Sequence, residues 1–168
     1  TALLSRIEGS SVVVIDQYTA MGGGIYVTTE IGTHLPLHAT SQGKLLLAAM
    51  SDASAKAFLS GAEQLEAFTP HTIVEQEQIL RELGQIRSDG YAVENGEYKI
   101  GLRSVSAPVY DRRGDMGYAL SVVGLFRKVR SQEFEGAVAC VSAAAQQLSE
   151  AIGYRGCRTS VPGRRQKQ

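Results

Sequence analysis

Segments with strand patterns lie near both ends of this chain, and segments with helix patterns lie between and after them. Residues 11–18 are rich in β-branched side chains, and residues 116–126 alternate between two sets of side chains, as a strand with two different faces does. Helical patterns cover residues 41–50, 51–59, 75–89 and 131–152. Strands that are close in sequence pair as hairpins, so this order predicts a mainly antiparallel sheet with helices packed against it, an α+β fold.

Two hairpins are predicted. Residues 11–18 pair with residues 25–29 through a glycine-rich turn at 21–24, and residues 31–38 form a loop broken by glycine and proline. Residues 102–110 pair with residues 116–126 through a turn at 111–114. Pro108 cannot donate a ladder hydrogen bond, which places it at a sheet edge or a bulge.

Length and composition indicate one ordinary globular domain. The chain has 168 residues, 43 % apolar and 20 % charged, and no apolar run approaches the 18 residues of a membrane span. Residues 155–168 hold five basic residues and no acid, which leaves 12 basic against 17 acidic residues elsewhere, a net charge of −5. We therefore expect a domain over residues 1–154 that is a poor nucleic-acid surface, followed by a basic, disordered tail. The two cysteines, Cys140 and Cys157, fit unpaired thiols in the cytoplasm.

Residue types that carry catalysis do not fall into a recognisable spacing. His34 and His38 straddle a proline, and no cysteine cluster exists, so neither a metal nor a cofactor is predicted. A triad of Ser121, His38 and Glu94 is possible on paper, but nothing in the spacing favours it. The turn at 21–24 lacks the Gly-Lys-Ser/Thr and the helix of a phosphate-binding loop.

The most informative segment runs from Leu35 to Lys44. A loop leads into a helix that Thr40 is placed to cap, and Gly43 lies in the first turn, where helix propensity disfavours it. Free amides at such a helix start attract carboxylate or phosphate, and a glycine lets another group approach closely. Two explanations stay open: an anion site at the helix start, or tight packing of the helix on the sheet.

Five blocks of the chain resemble the effector-binding domain of the isocitrate-lyase-regulator (IclR) family of bacterial transcription factors. The first block is Pro36-Leu37-His38-Ala39-Thr40-x-x-Gly43-Lys44. The other four follow in the family's order, over residues 68–73, 86–93, 97–109 and 119–124. The resemblance implies a curved antiparallel sheet flanked by helices, similar to the GAF and PAS sensors. It also implies a homodimer or homotetramer that senses a small molecule and contacts DNA only through a separate N-terminal winged helix-turn-helix domain.

The resemblance also assigns effector contacts by position. They fall on Ser41, Gln42, Glu94, Ser104, Ser121 and Val123. Leu37 and Met21 are expected to add apolar wall. Val123 stands where a second polar residue is common, and Leu125 follows Gly124 where a proline is frequent, so we expect a less polar pocket and a small organic or aromatic acid as effector. An enzyme on a GAF-like scaffold acting on a small acid, and a pure oligomerisation module, are the alternatives.

Overall fold

The computed structural model describes residues 1–20, 26–61 and 64–156. Its six strands form one antiparallel sheet in the order β3-β2-β1-β6-β5-β4, curled into a half-barrel. The strands are β1 (Ala2–Glu8), β2 (Ser11–Tyr18), β3 (His34–Leu35), β4 (Ala92–Asn95), β5 (Arg103–Tyr110) and β6 (Met116–Gly124). The helices are α1 (Ser41–Ala49), α2 (Asp52–Gly61), α3 (Gln76–Asp89) and α4 (Gln132–Ala151). The predicted fold class is confirmed.

The two faces of the sheet bury separate cores. On one face, α1 packs against the sheet and α3 packs against α1, and their apolar side chains form one cluster with Leu3 of β1 and with Val12 and Val14 of β2. On the other face, α4 packs against β5 and β6, with Phe134 and Val141 of the helix contacting the strands' apolar side chains. The helix lies there because its apolar residues recur at spacings of three and four, which forms one stripe.

One predicted hairpin is wrong. Residues 26–30 form no strand, and β2 pairs instead with β3, with Val12 opposite Leu35 and Val13 opposite His34. The amide of Thr29 donates to the side-chain oxygen of Gln17 (3.1 Å) rather than to the backbone of β2. The β-branched residues here cover a half-buried surface, which is what strand propensity reports, without joining the ladder. The turn residues 21–24 lie outside the described residues.

Proline and glycine stand where the sequence predicts interruptions. β4 pairs with β5 only as far as Ser106, so Pro108 lies on an open edge, and a register shift follows at Val109 and Tyr110. Gly90 ends α3 with a left-handed φ of 78°, where its amide donates to the Ile86 carbonyl.

Of the predicted basic tail, residues 157–168 lie outside the described residues, so its predicted disorder is untested.

Candidate functional site

The register of the last three strands brings separate polar residues together on one face of the sheet. Glu94 of β4 lies opposite Ser104 of β5, and Ser104 lies opposite Val123 of β6. In the next row on that face, Ser106 lies opposite Ser121. Since side chains alternate between faces along a strand, these residues all lie on the face of the sheet that α1 covers.

The start of α1 lies directly on this row of residues. Ser41 Oγ forms hydrogen bonds with Ser104 Oγ (2.8 Å) and Ser106 Oγ (2.6 Å). Gln42 Nε2 donates to Ser121 Oγ (2.8 Å), and Ser121 Oγ donates in turn to the carbonyl oxygen of Leu3 (3.3 Å). The helix therefore docks through hydroxyl and amide groups that satisfy one another.

Thr40 and Gly43 fix the position of this helix start. Thr40 Oγ1 accepts from the Gly43 amide (3.1 Å) and donates to the Pro36 carbonyl (2.8 Å), so it caps α1 as predicted. A Cβ on Gly43 would overlap Leu37 Cα and lie 2.6 Å from the carbonyl oxygens of Pro36 and Leu37. Gly43 is thus required by its own preceding loop. The cap leaves the amides of Ser41 and Gln42 as free donors among the described residues.

A cavity of about 260 Å³ opens between the start of α1, the strands and residues 27–33. This volume is just below the range of about 300–1,000 Å³ that is typical of small-molecule sites, so the cavity suits a small ligand. Four of the predicted site residues line it: Gln42, Glu94, Ser104 and Val123. The remaining wall comes from Leu3, Val27, Thr28, Thr29, Glu30, Thr33, Leu35, Thr40, Tyr98, Lys99 and Leu102.

The other predicted site residues do not line this cavity. Ser41 and Ser121 are fully buried one layer behind it, where they hold Gln42 and Ser104. Leu37 is buried in the core beneath α1. Met21 lies outside the described residues.

Glu94 is a buried carboxylate in the cavity wall. Its Oε1 accepts from the amides of Glu97 and Tyr98, and its Oε2 accepts from Ser104 Oγ (3.2 Å). Burial raises the pKa of the Glu94 carboxyl, the two amide bonds offset part of that rise, and the nearby Glu97 adds to it. The wall therefore holds an ionisable group that is sensitive to what enters the cavity.

A buried lysine behind the wall joins three elements, a role that no local pattern in the sequence indicates. Lys44 Nζ donates to Glu97 Oε1 (2.7 Å), to Glu82 Oε1 of α3 (2.8 Å) and to the Val93 carbonyl (3.1 Å). Burial raises the pKa of Glu97, while Lys44 acts in the opposite direction. This cluster anchors the end of β4 and the turn after it, residues 94–98 (the 94–98 loop), which supply Glu94 and Tyr98 to the cavity.

Histidine and serine do not form a catalytic triad in the described residues. His38 Nε2 forms a hydrogen bond with the Glu66 carbonyl (2.9 Å), so His38 fixes its loop. Ser121 bonds Gln42 and the Leu3 carbonyl instead. No cluster of metal-ligating side chains and no membrane-spanning helix is found in residues 1–20, 26–61 and 64–156.

The curled antiparallel sheet and its flanking helices are those of a GAF- or PAS-like domain. The family model for the C-terminal domain of the bacterial transcriptional regulator IclR matches residues 1–150, so the chain belongs to that family. It is 34 % identical to the regulator KdgR of Escherichia coli over 157 residues, 92 % of this chain and 58 % of KdgR. It is 34 % identical to the Pca regulon regulatory protein of Pseudomonas putida over 134 residues, 80 % of this chain and 46 % of that protein.

The crystal structure of the C-terminal domain of E. coli KdgR has the same fold. It superimposes with a TM-score of 0.77 at 31 % identity, over 91 % of this chain and 87 % of that chain. The chain spans about half the length of the curated relatives it matches. These relatives are transcriptional regulators.

Proposed function

We propose that this domain is the small-molecule sensor of a cytoplasmic transcriptional regulator. Effector binding in the cavity changes how a winged helix-turn-helix domain in the rest of the regulator binds DNA. The observation that carries the proposal is the cavity itself, whose wall combines Gln42, Glu94, Ser104 and Val123 from four elements. A domain used only for oligomerisation has no need of such a cavity.

The proposed ligand is a small organic or aromatic acid. Its carboxylate lies at the start of α1, where Gln42 lines the cavity with a free backbone amide and the helix dipole favours negative charge. Leu3, Leu35 and Val123 offer an apolar wall for its carbon skeleton. Glu94 accepts a hydrogen bond from a donor at the other end of the ligand. The ligand carboxylate does not bind beside Glu94, because the two carboxylates would repel each other.

Thermal-shift screening, followed by calorimetry of the compounds that raise the melting temperature, tests the sensor proposal. Val123→Phe fills the cavity and is expected to weaken binding by tenfold or more. Leu125→Phe is the control, since Leu125 is about half exposed beyond the end of β6. The proposal fails if Val123→Phe binds like the parent, or if ligands are consumed in the assay.

We also propose that the regulator is a homodimer or homotetramer. Helix-turn-helix proteins read two-fold operators, which calls for at least two copies. Leu4 of β1 and Ile15 of β2 are half-buried apolar residues that a second copy could cover. Light scattering is expected to give a dimer or larger, and an 18 kDa monomer at high protein concentration would refute it.

A further inference from the structure

The charges around the cavity define the class of ligand more narrowly. Glu94 lines the cavity and is only 3 % exposed. None of the ion pairs of the described residues includes it: its three donors are two backbone amides and one serine hydroxyl. A carboxylate taken out of water without a cation is costly, and the structure places this one against the cavity.

The nearest buried cation is fully used elsewhere. Lys44 donates all three of its protons, two of them to Glu82 and Glu97. Those two carboxylates share one positive charge, so Lys44 has no proton left to donate to Glu94. Lys99 is the only basic side chain in the described wall, and it is exposed with its Nζ over the Tyr98 ring, 5.7 Å from the centroid.

The hydrogen bonds of Glu94 also limit the shape of the donor that can bind there. Oε1 already accepts two amides, which fill its two acceptor positions, while Oε2 accepts only Ser104 Oγ at 3.2 Å. One acceptor position on one oxygen is left. A guanidinium pairs with both oxygens of a carboxylate, whereas an ammonium needs only one.

We propose that the effector is a small zwitterion, with an ammonium group on Glu94 Oε2 and its carboxylate at the start of α1. This inference rests on the sensor function proposed above and adds the charge of the ligand. The two ends of the site are close together, because Gln42 at the start of α1 and Glu94 of β4 line the same cavity of about 260 Å³. The ligand is therefore short, with few carbons between its charges.

Calorimetry with two matched series tests the inference on the whole chain. One series is 4-aminobutanoate, 4-hydroxybutanoate, butanoate and butylamine. The other is 3-(aminomethyl)benzoate, 3-(hydroxymethyl)benzoate, benzoate and benzylamine. In at least one series, the zwitterion is expected to bind at least tenfold more tightly than the hydroxy acid, the plain acid and the amine.

The variant Glu94→Gln keeps the size of the side chain and removes its charge. It is expected to weaken zwitterion binding by at least tenfold and to change hydroxy acid binding by less than threefold. Glu77→Gln, on an exposed glutamate of α3, is the control and should leave every affinity unchanged. If Glu94→Gln fails to fold, the ranking of each series on the parent protein decides alone.

Two results would overturn the inference, and they separate it from the sensor proposal. If hydroxy acids, plain acids or amines bind as tightly as the zwitterions, or if Glu94→Gln keeps the preference for the ammonium, the charge assignment is wrong while the sensor function stands. If no compound of either series binds, the zwitterion inference falls. If a broad screen of neutral and charged compounds also finds no ligand, the sensor function falls with it.

Discussion

Replacing Lys44 by methionine removes the one cation that two carboxylates share in the interior. Lys44 is fully buried, and it donates to Glu82, Glu97 and the Val93 carbonyl at 2.7–3.1 Å. Methionine fills a similar volume but leaves the Glu97 side chain, 6 % exposed, without its counter-charge. Breaking a buried pair in this way costs about 3–5 kcal/mol.

We expect the lower end of that range. The side chain of Glu82 is 27 % exposed, so water can solvate part of its charge once Lys44 is gone. A loss of about 3 kcal/mol corresponds to a fall in melting temperature of about 6–12 °C for a domain of this size. Urea denaturation at pH 7 measures the loss, with Arg81→Met as control, because the Arg81–Glu77 pair is exposed and contributes less than about 0.5 kcal/mol.

A second substitution distinguishes lost charge balance from lost packing. Adding Glu97→Gln to Lys44→Met removes the unpaired charge, so more than half of the lost stability should return. Lowering the pH should also recover stability in Lys44→Met, because burial already raises the pKa of Glu97 and the variant loses the lysine that opposes that rise. A loss below about 1 kcal/mol, or no recovery in the double variant, would show that Lys44 does not balance these charges.

Three further predictions concern single residues. Gly43→Ala should lower the unfolding free energy by about 3 kcal/mol, because the added Cβ meets the backbone of the preceding loop. Gly84→Ala, with open space around it, should raise that free energy by about 0.5–1 kcal/mol. Equal effects of the two substitutions in urea denaturation would contradict the packing explanation. The raised pKa of Glu94 means that the folded state holds a proton more tightly than the unfolded state, so stability falls as pH rises above 4.5 through the folded pKa. The stability of Glu94→Gln relative to the parent should therefore grow across that window, and a shrinking difference would refute the assignment. Ser121→Ala removes the hydrogen bond that holds the Gln42 side-chain amide, and it should weaken effector binding by about tenfold in calorimetry. Unchanged binding would show that Gln42 does not need this hydrogen bond.

The regular elements could be predicted because local signals agree with one another. The cap at Thr40, the stop at Gly90 and the apolar stripe of α4 each depend on residues within a few positions. The strand prediction was wrong for residues 26–29. Strand propensity reports a half-buried β-branched surface, and here the cavity wall provides that surface. The pairing of β2 with β3 depends on a partner of two residues, which is too short to carry a period.

The site could be predicted only in part, because its layers depend on register. Glu94, Ser104 and Val123 are cross-strand neighbours, and strand alternation puts them on one face once the pairing is known. The sequence does not show that Ser121 lies behind the cavity wall, since that follows from the Gln42 side chain that covers it. The burial of Lys44 is equally hidden, because Glu82 and Glu97 come from distant parts of the chain.

The motif that carried the resemblance therefore has mainly a structural function. Thr40 caps α1, Gly43 admits the preceding loop and Lys44 ties the helix to the 94–98 loop, so three of its positions hold the helix start against the sheet. The two positions that the motif leaves unspecified are Ser41 and Gln42, and only Gln42 of the two reaches the cavity. Ligand choice is then expected to change through Gln42 and through wall residues outside the motif, such as Glu94, while the frame that positions them stays the same.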